Sequence, residues 1–200
     1  MIANRQFPII ERPTQDDRVL IQGGWDHFKL IRQGCALTSG ARLFYFDGTI
    51  EIVMPGRFHE IFSHAIGVLL TNFLAHQGIL FFAIGSADQE REGIAAAQPD
   101  QSYCIGSQKA IPDLSIEIVF TSGGIRKLDR YKAIGVPEVW FWEDGTLMLY
   151  RLREQGYESI DRSELEELQD LDLAIFKRHI MMAETDLGSA VRSFNAYLFQ

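Results

Sequence analysis

The sequence is poor in the residues that staple, anchor or coat. Its 200 residues include two cysteines, Cys35 and Cys104, far apart and outside any Cys-x-x-Cys or Cys/His cluster. That excludes a disulfide framework and a zinc site built on them, and leaves two buried free thiols as the expectation. No apolar run reaches the ~20 residues that a membrane span requires, so no membrane partner is expected. The first stretch, MIANRQFPIIERPTQDDR, is interrupted by charges and prolines and does not read as a secretory leader, which makes a cytoplasmic location the expectation. Internal repeats and low-complexity blocks are also missing, which excludes solenoid architectures. Cations are in deficit, 19 Lys and Arg against 27 Asp and Glu, for a net charge of −8. A sequence-independent nucleic-acid coat is normally basic and is therefore excluded. An enzyme that clusters carboxylates and keeps local basic patches is not.

What is present is ordinary globular composition, 46% hydrophobic and 23% charged, in a chain long enough to bury one core. Residues 24–34 place Trp25, Phe28 and Ile31 at helical spacing, with Gly34 as the predicted stop. RLFYFDGTIEIVMP, residues 42–55, sets two β-rich runs on either side of Asp47-Gly48 and predicts a tight hairpin. The period then changes. Phe58, Ile61, Phe62, Ala65, Ile66, Leu69, Leu70, Phe73 and Leu74 form one face of a helix over 58–76. ILFFAIG reads as a short buried strand, 85–98 as a loop or irregular hairpin, and 99–106 and 111–120 as two further strands. Thr121 or Ser122 is the predicted cap of a helix over 125–134, ended by Gly135. EVWFW and TLMLYRL pair as a second hairpin across Glu143-Asp144-Gly145, and 164–199 is mostly helical. The order predicts an α/β chain of the α+β kind, a mixed central sheet flanked by helices. Its parts are an N-terminal arm over 1–20, a core domain over 21–163, and a C-terminal helical extension over 164–200 packed on that core.

Chemistry concentrates on the two strands after residue 98. Asp100 opens the first. On the second, Asp113, Ser115, Glu117 and Val119 share one face, while Leu114, Ile116, Ile118 and Phe120 share the other and read as core. Glu117 is thus a carboxylate in an apolar strand, and a buried carboxylate requires a cation, a hydrogen-bond network or a metal. Two carboxylates on adjacent strands suit Mg²⁺, with Mn²⁺ as an alternative, because hard cations take oxygen ligands. Such an ion bridges a scissile phosphate and acidifies a water, and a nearby lysine stabilises the charge that develops. Asp113, four residues before Glu117, lies roughly 13 Å along the strand and is too far for both to hold one ion. It reads as a strand-start residue and, at most, a substitute for Asp100. His59 and His64 are five apart, about 140° around a helix, so HEIFSH is not a zinc motif. His59 and Glu60 open the long helix, where an acid suits the helix dipole, and are kept as candidate site residues with Glu51. Glu51 reads first as an exposed hairpin residue, with a metal or supporting role as the alternative. Trp140 and Trp142 share a strand face and read as core or dimer packing. Lys127 sits among Arg126, Arg130 and Lys132 and reads either as site lysine or as part of a solvated basic face.

Pro99-Asp100 followed by Glu117 resembles the PD-(D/E)xK nuclease signature, except that Val119 holds the lysine's place and Lys127 follows ten residues after Glu117. With RLFYFDGTIEIVMP, His59-Glu60, PDQSY, PDLSIEIVFTS and KLDRYKAIGVPEVWFWEDGTLMLYRL, the stretch from about 41 to 152 is similar to the Uma family of restriction-endonuclease-like proteins. The resemblance implies a restriction-endonuclease-like fold and divalent-metal-dependent hydrolysis of DNA. It implies Asp100 and Glu117 as metal ligands and Lys127 as the catalytic lysine. Cutting both strands requires two active sites, hence an expected homodimer. In the family pattern acids flank the first Pro-Asp, where this chain has Gln98 and Gln101. The same residues admit two rivals. One is a catalytically inactive nuclease-fold module that binds nucleic acid or protein. The other is a structural interaction domain, in which a protein cation matches Glu117 and no cleft opens.

Overall fold

A computed structural model describes residues 16–36, 40–120 and 124–199. Most of the expected arm, the expected Thr121 or Ser122 cap and the Arg126 side chain lie outside the described residues. The chain opens with β1 (Asp17–Gln22) and α1 (Trp25–Cys35), then β2 (Arg42–Phe46), β3 (Thr49–Met54) and the long α2 (Arg57–His76). Short strands β4 (Phe81–Ala83), β5 (Gln89–Arg91) and β6 (Ala95–Ala97) lead into β7 (Gln101–Ile105) and β8 (Leu114–Val119). After α3 (Gly124–Ile134) come β9 (Glu138–Glu143), β10 (Thr146–Leu152) and β11 (Tyr157–Ile160). A 3₁₀ turn at Glu166–Leu168, α4 (Leu173–Ala183) and α5 (Leu187–Leu198) complete the described chain.

The architecture is mixed α and β, as expected, but the strands form two sheets. The larger has the order β11-β10-β9-β8-β7-β4 and is mixed, because β8 and β9 run parallel. The smaller, β1-β3-β2-β6-β5, is antiparallel and takes the first hairpin out of the central sheet. Both hairpin turns use the residues their geometry demands. Asp47 and Gly48 have φ of 46° and 69°, and Asp144 and Gly145 have 47° and 75°, the doubly left-handed turn that matches strand twist. Some edges move. The first helix continues through Gly34 to Cys35. The strand in ILFFAIG covers three residues at the sheet edge and is only half-buried.

Alternation along β8 correctly separates two faces, yet both are covered, for all six of its residues are buried. Leu114, Ile116 and Ile118 pack with Ile66, Leu69 and Leu70 of α2 and with Trp140 and Trp142, which are core. Full burial of each such aliphatic side chain contributes about 1.5–3 kcal/mol. Phe120, assigned to the same face, is 37% exposed and caps that core beside the His59 and Phe62 rings. On the opposite face, Val119 joins Phe44 and Val53 of the small sheet and Leu128 and Tyr131 of α3. Glu117 therefore projects into a sealed layer between a sheet and a helix. Phe176, Ile180 and Phe194 of α4 and α5 enter the α2 core, and Asp172 and Asp186 cap these helices with their side chains. Among the described residues no helix is long and apolar enough to cross a membrane. Cys35 is half-buried and Cys104 buried, and both are free thiols.

Candidate active site

The site begins with Glu117, which is 2% exposed. One turn and a half of α3 answers its charge. Lys127, Arg130 and Tyr131 stand at i, i+3 and i+4, which puts them on one helical face. Lys127 Nζ donates to Glu117 Oε2 at 2.7 Å, Arg130 Nη2 donates to Oε1 at 3.1 Å, and the Tyr131 hydroxyl donates to Oε1. Burial pushes the Glu117 carboxyl up, but the charges of Lys127 and Arg130 and the bonds from Lys127 and Tyr131 outweigh it and lower its pKa to about 2. Burial and the Glu117 charge hold the Tyr131 phenol well above its ordinary range, so it is a proton donor here. The second arm of Arg130 reaches Glu51 Oε2 at 3.1 Å, and its guanidinium lies 4.0 Å over the Phe44 ring. Glu51 is buried, so its reading as an exposed hairpin residue does not hold. Its other oxygen is 2.6 Å from Arg18 Nε.

Asp100 lies just before β7 and extends the pairing with β8, since its backbone N–H donates to Ile116 O at 3.0 Å. Its Oδ2 accepts from Ile118 N at 2.8 Å, and Oδ1 is 2.7 Å from His59 Nε2 and 3.6 Å from Arg42 Nε. His59 is on the first turn of α2, and its Nδ1 is 2.9 Å from Asp16 Oδ2. Burial disfavours the imidazolium, but the Asp100 and Asp16 carboxylates more than offset this and raise its pKa to about 9. Burial likewise raises Asp16, yet the bonds from His59 and Gly56 hold its carboxyl below the usual range.

These groups surround a cavity of about 20 Å³, room for one water, lined among others by Asp16, Arg18, Glu51, His59, Asp100, Glu117 and Lys127. Arg18, Glu51 and Lys127 also line an adjoining cleft of about 540 Å³ that runs past Gln22, Thr49 and Arg130. Arg42 Nε, Glu51 Oε1, His59 Nε2 and Arg130 Nε are buried there without an aligned hydrogen-bond partner. Three of these atoms are nonetheless charge-paired, Glu51 Oε1 with Arg18, His59 Nε2 with Asp100 and Arg42 Nε with Asp100. The donors fit a small hard dication, since Asp100, Glu117 and Glu51 offer only carboxylate oxygens. Among the described residues no group of three or more His, Cys, Asp or Glu is arranged to hold a metal. Mg²⁺ does not require one, because it is usually held by one or two carboxylates and completes its shell with water and substrate phosphate.

The structure thus brings together Asp100, Glu117, Lys127, His59 and Glu51. Glu60 stands at the rim, 3.8 Å from Arg42 Nη2. Asp113 is elsewhere. Its carboxylate accepts from Ile105 N and Lys109 Nζ, both at 2.7 Å, and pins the β7–β8 connection. Gln98 accepts from Leu43 N, and Gln101 donates to Ser63, so the glutamines beside Pro99-Asp100 are engaged in structural bonds. Lys132 donates to Gln155 O, away from the site. Sequence reasoning missed Asp16, Arg18 and Arg42, and did not assign Arg130 or Tyr131 to Glu117. For the last two, helical spacing from Lys127 was the available signal. The other three carried none, because they belong to segments that contact the site only through the small sheet. The Uma2 family, described as "Putative restriction endonuclease", matches residues 25–179 of the chain, well over half of it. No curated protein sequence matches.

Proposed function

Because the chain belongs to the Uma2 family, we propose that it is an endonuclease that hydrolyses DNA phosphodiester bonds with Mg²⁺ or Mn²⁺. The reading rests on one observation above all. Asp100 and Glu117 line one cavity, and Lys127, from a different element, donates to Glu117 at 2.7 Å. Asp100 and Glu117 hold the ion. When bound, that ion neutralises the scissile phosphate and acidifies a water. Lys127, at the mouth shared by cavity and cleft, orients the attacking water or meets the charge on the phosphorane oxygens. Arg130 keeps Glu51 and Glu117 in register, and the charged His59 keeps Asp100 against β8. Arg18 and Lys127 give an acidic protein a local cationic approach for the DNA backbone along the cleft. The protein acts in the cytoplasm, and a homodimer supplies the second active site.

A second reading has its own support. Both Glu117 oxygens are satisfied by protein donors and the cavity admits only a water, as in a nuclease-fold module that binds without cutting. The adjoining cleft weighs against it, and against a purely structural domain. Calorimetric titration with Mn²⁺ and Mg²⁺, paired with plasmid nicking, separates these readings. The nuclease predicts metal binding by the wild type and its loss in Glu117→Gln. It also predicts that Lys127→Met binds metal but nicks about 10²–10³-fold more slowly. Metal binding without nicking favours the binding module, and no metal binding by folded wild type removes the catalytic reading.

A further inference from the structure

Two carboxylates and an imidazole between them stand in a row at the edge of the cavity, and the outermost member comes from a segment with no nuclease signature. Asp17 pairs with Met54 at the end of the β1–β3 ladder, so Asp16 falls beside the turn into α2. Its Oδ1 accepts from Gly56 N at 2.8 Å, which closes the turn. Its Oδ2 is 2.9 Å from His59 Nδ1, and the Asp16 side chain is 8% exposed. The far side of the His59 ring meets Asp100 Oδ1 at 2.7 Å. Asp100 then has one oxygen fixed by the β8 backbone and the other governed by the ring. A hydrogen bond at one nitrogen restrains the imidazole against rotation about its Cβ–Cγ bond and against exchanging its ring edges, so its other nitrogen stays aimed.

We propose that Asp16 is a positioning residue of the metal site, which orients the ligand carboxylate of Asp100 through His59. The proposal rests on the reading of Asp100 as a metal ligand. Outer carboxylates of this kind typically change metal affinity by about 10–100-fold. The row also explains why a charged side chain turns inward beside an otherwise exposed strand. β1 presents five of its six residues to solvent, and neither core packing nor pairing requires an acid before it.

The test is a double-mutant cycle on the full chain, read as Mn²⁺ affinity by calorimetry, with Asp16→Asn, His59→Gln and the double variant. Asparagine retains an oxygen for Gly56 N, so the turn is preserved while the carboxylate is lost. Each single variant is expected to bind Mn²⁺ about tenfold or more weakly, and the double variant no more weakly than the worse single one. His59→Gln breaks the row at its centre and carries the test if Asp16→Asn does not fold. Thermal unfolding accompanies each titration, because a merely structural Asp16 would lower Tm and leave Mn²⁺ affinity unchanged. Wild-type affinity in Asp16→Asn, or losses that multiply in the double variant, overturn the proposal and leave the metal pair intact. Folded wild type that binds no Mn²⁺ overturns the metal pair itself, and this inference with it.

Discussion

Removing Arg130 should turn a buried ion network into a divalent-cation switch for stability. Arg130 is 5% exposed, and its guanidinium is bracketed by Glu51 Oε2 and Glu117 Oε1, each at 3.1 Å, with the Phe44 ring beneath it. Arg130→Ala leaves two buried carboxylates facing the space it vacates. Glu51 keeps Arg18, and Glu117 keeps Lys127 and Tyr131. Breaking a buried pair from one side costs about 3–5 kcal/mol. In a protein of this size about 1 kcal/mol moves Tm by roughly 2–4 °C, so the variant should unfold about 6–20 °C early. A dication in the vacated space would restore part of that, about 2.7 kcal/mol at a hundred times its Kd. The assay is thermal unfolding followed by circular dichroism, with Mn²⁺ and with NaCl at equal ionic strength. A variant within about 2 °C of wild type would refute the coupling of the carboxylates, and equal rescue by NaCl would refute a specific cation site.

The remaining predictions concern protons and packing. His59 holds its proton more tightly folded, at about 9, than at its ordinary 6.5. Its contribution is therefore complete below pH 6.5 and is lost as pH rises through 9. The urea midpoint of wild type should fall across that window and that of His59→Gln should not; a flat wild-type profile refutes this. Glu117 has the opposite sign, with its pKa lowered from 4.5 to about 2, so its contribution is present above 4.5 and fades as pH falls through 2. Glu117→Gln should flatten that acid limb, and an unchanged acid midpoint counts against it. Phe194 is fully buried in the α2 core. Phe194→Ala should cost about 3–5 kcal/mol by urea unfolding, and a loss below about 1 kcal/mol would show that α5 is not integral to the core.

Local signals were legible where local physics decides. Asp47-Gly48 and Asp144-Gly145 announced their hairpins because the turn itself requires left-handed backbone. Of the nine apolar residues read as one face of α2, seven are buried, because one helix needs one stripe, while Phe58 is exposed and Ile61 half-buried. Partnership was not legible. Alternation in β2 and β3 tells which residues share a side, but not that β1 and β6 flank them in a second sheet. Residues 17–20 read as part of an arm because the N-terminal stretch is polar and contains proline, and the strand they join has no buried face to mark it. Of the candidate site, Asp100, Glu117 and Lys127 were singled out by resemblance to the nuclease signature, and they line one cavity. The second Pro-Asp was a decoy whose carboxylate serves the β7–β8 connection. Glu51 looked exposed because its cover, Arg130 over Phe44, comes from a helix 79 residues later in the chain.

Three donors to Glu117 ride on one rigid body. In a strand-borne signature the lysine is fixed by its own ladder, independent of the next helix. Here Lys127, Arg130 and Tyr131 share a single rotation and a single translation, those of α3. Inserting or deleting one residue between Lys127 and Arg130 would turn one donor away from the others by about 100°. Length changes inside this turn of α3 therefore split the set, whereas point substitutions remove one donor at a time. A lineage can thus tune the Glu117 environment residue by residue, yet must keep the spacing from Lys127 to Tyr131 fixed. For library design, that interval is the one to hold constant while its composition varies.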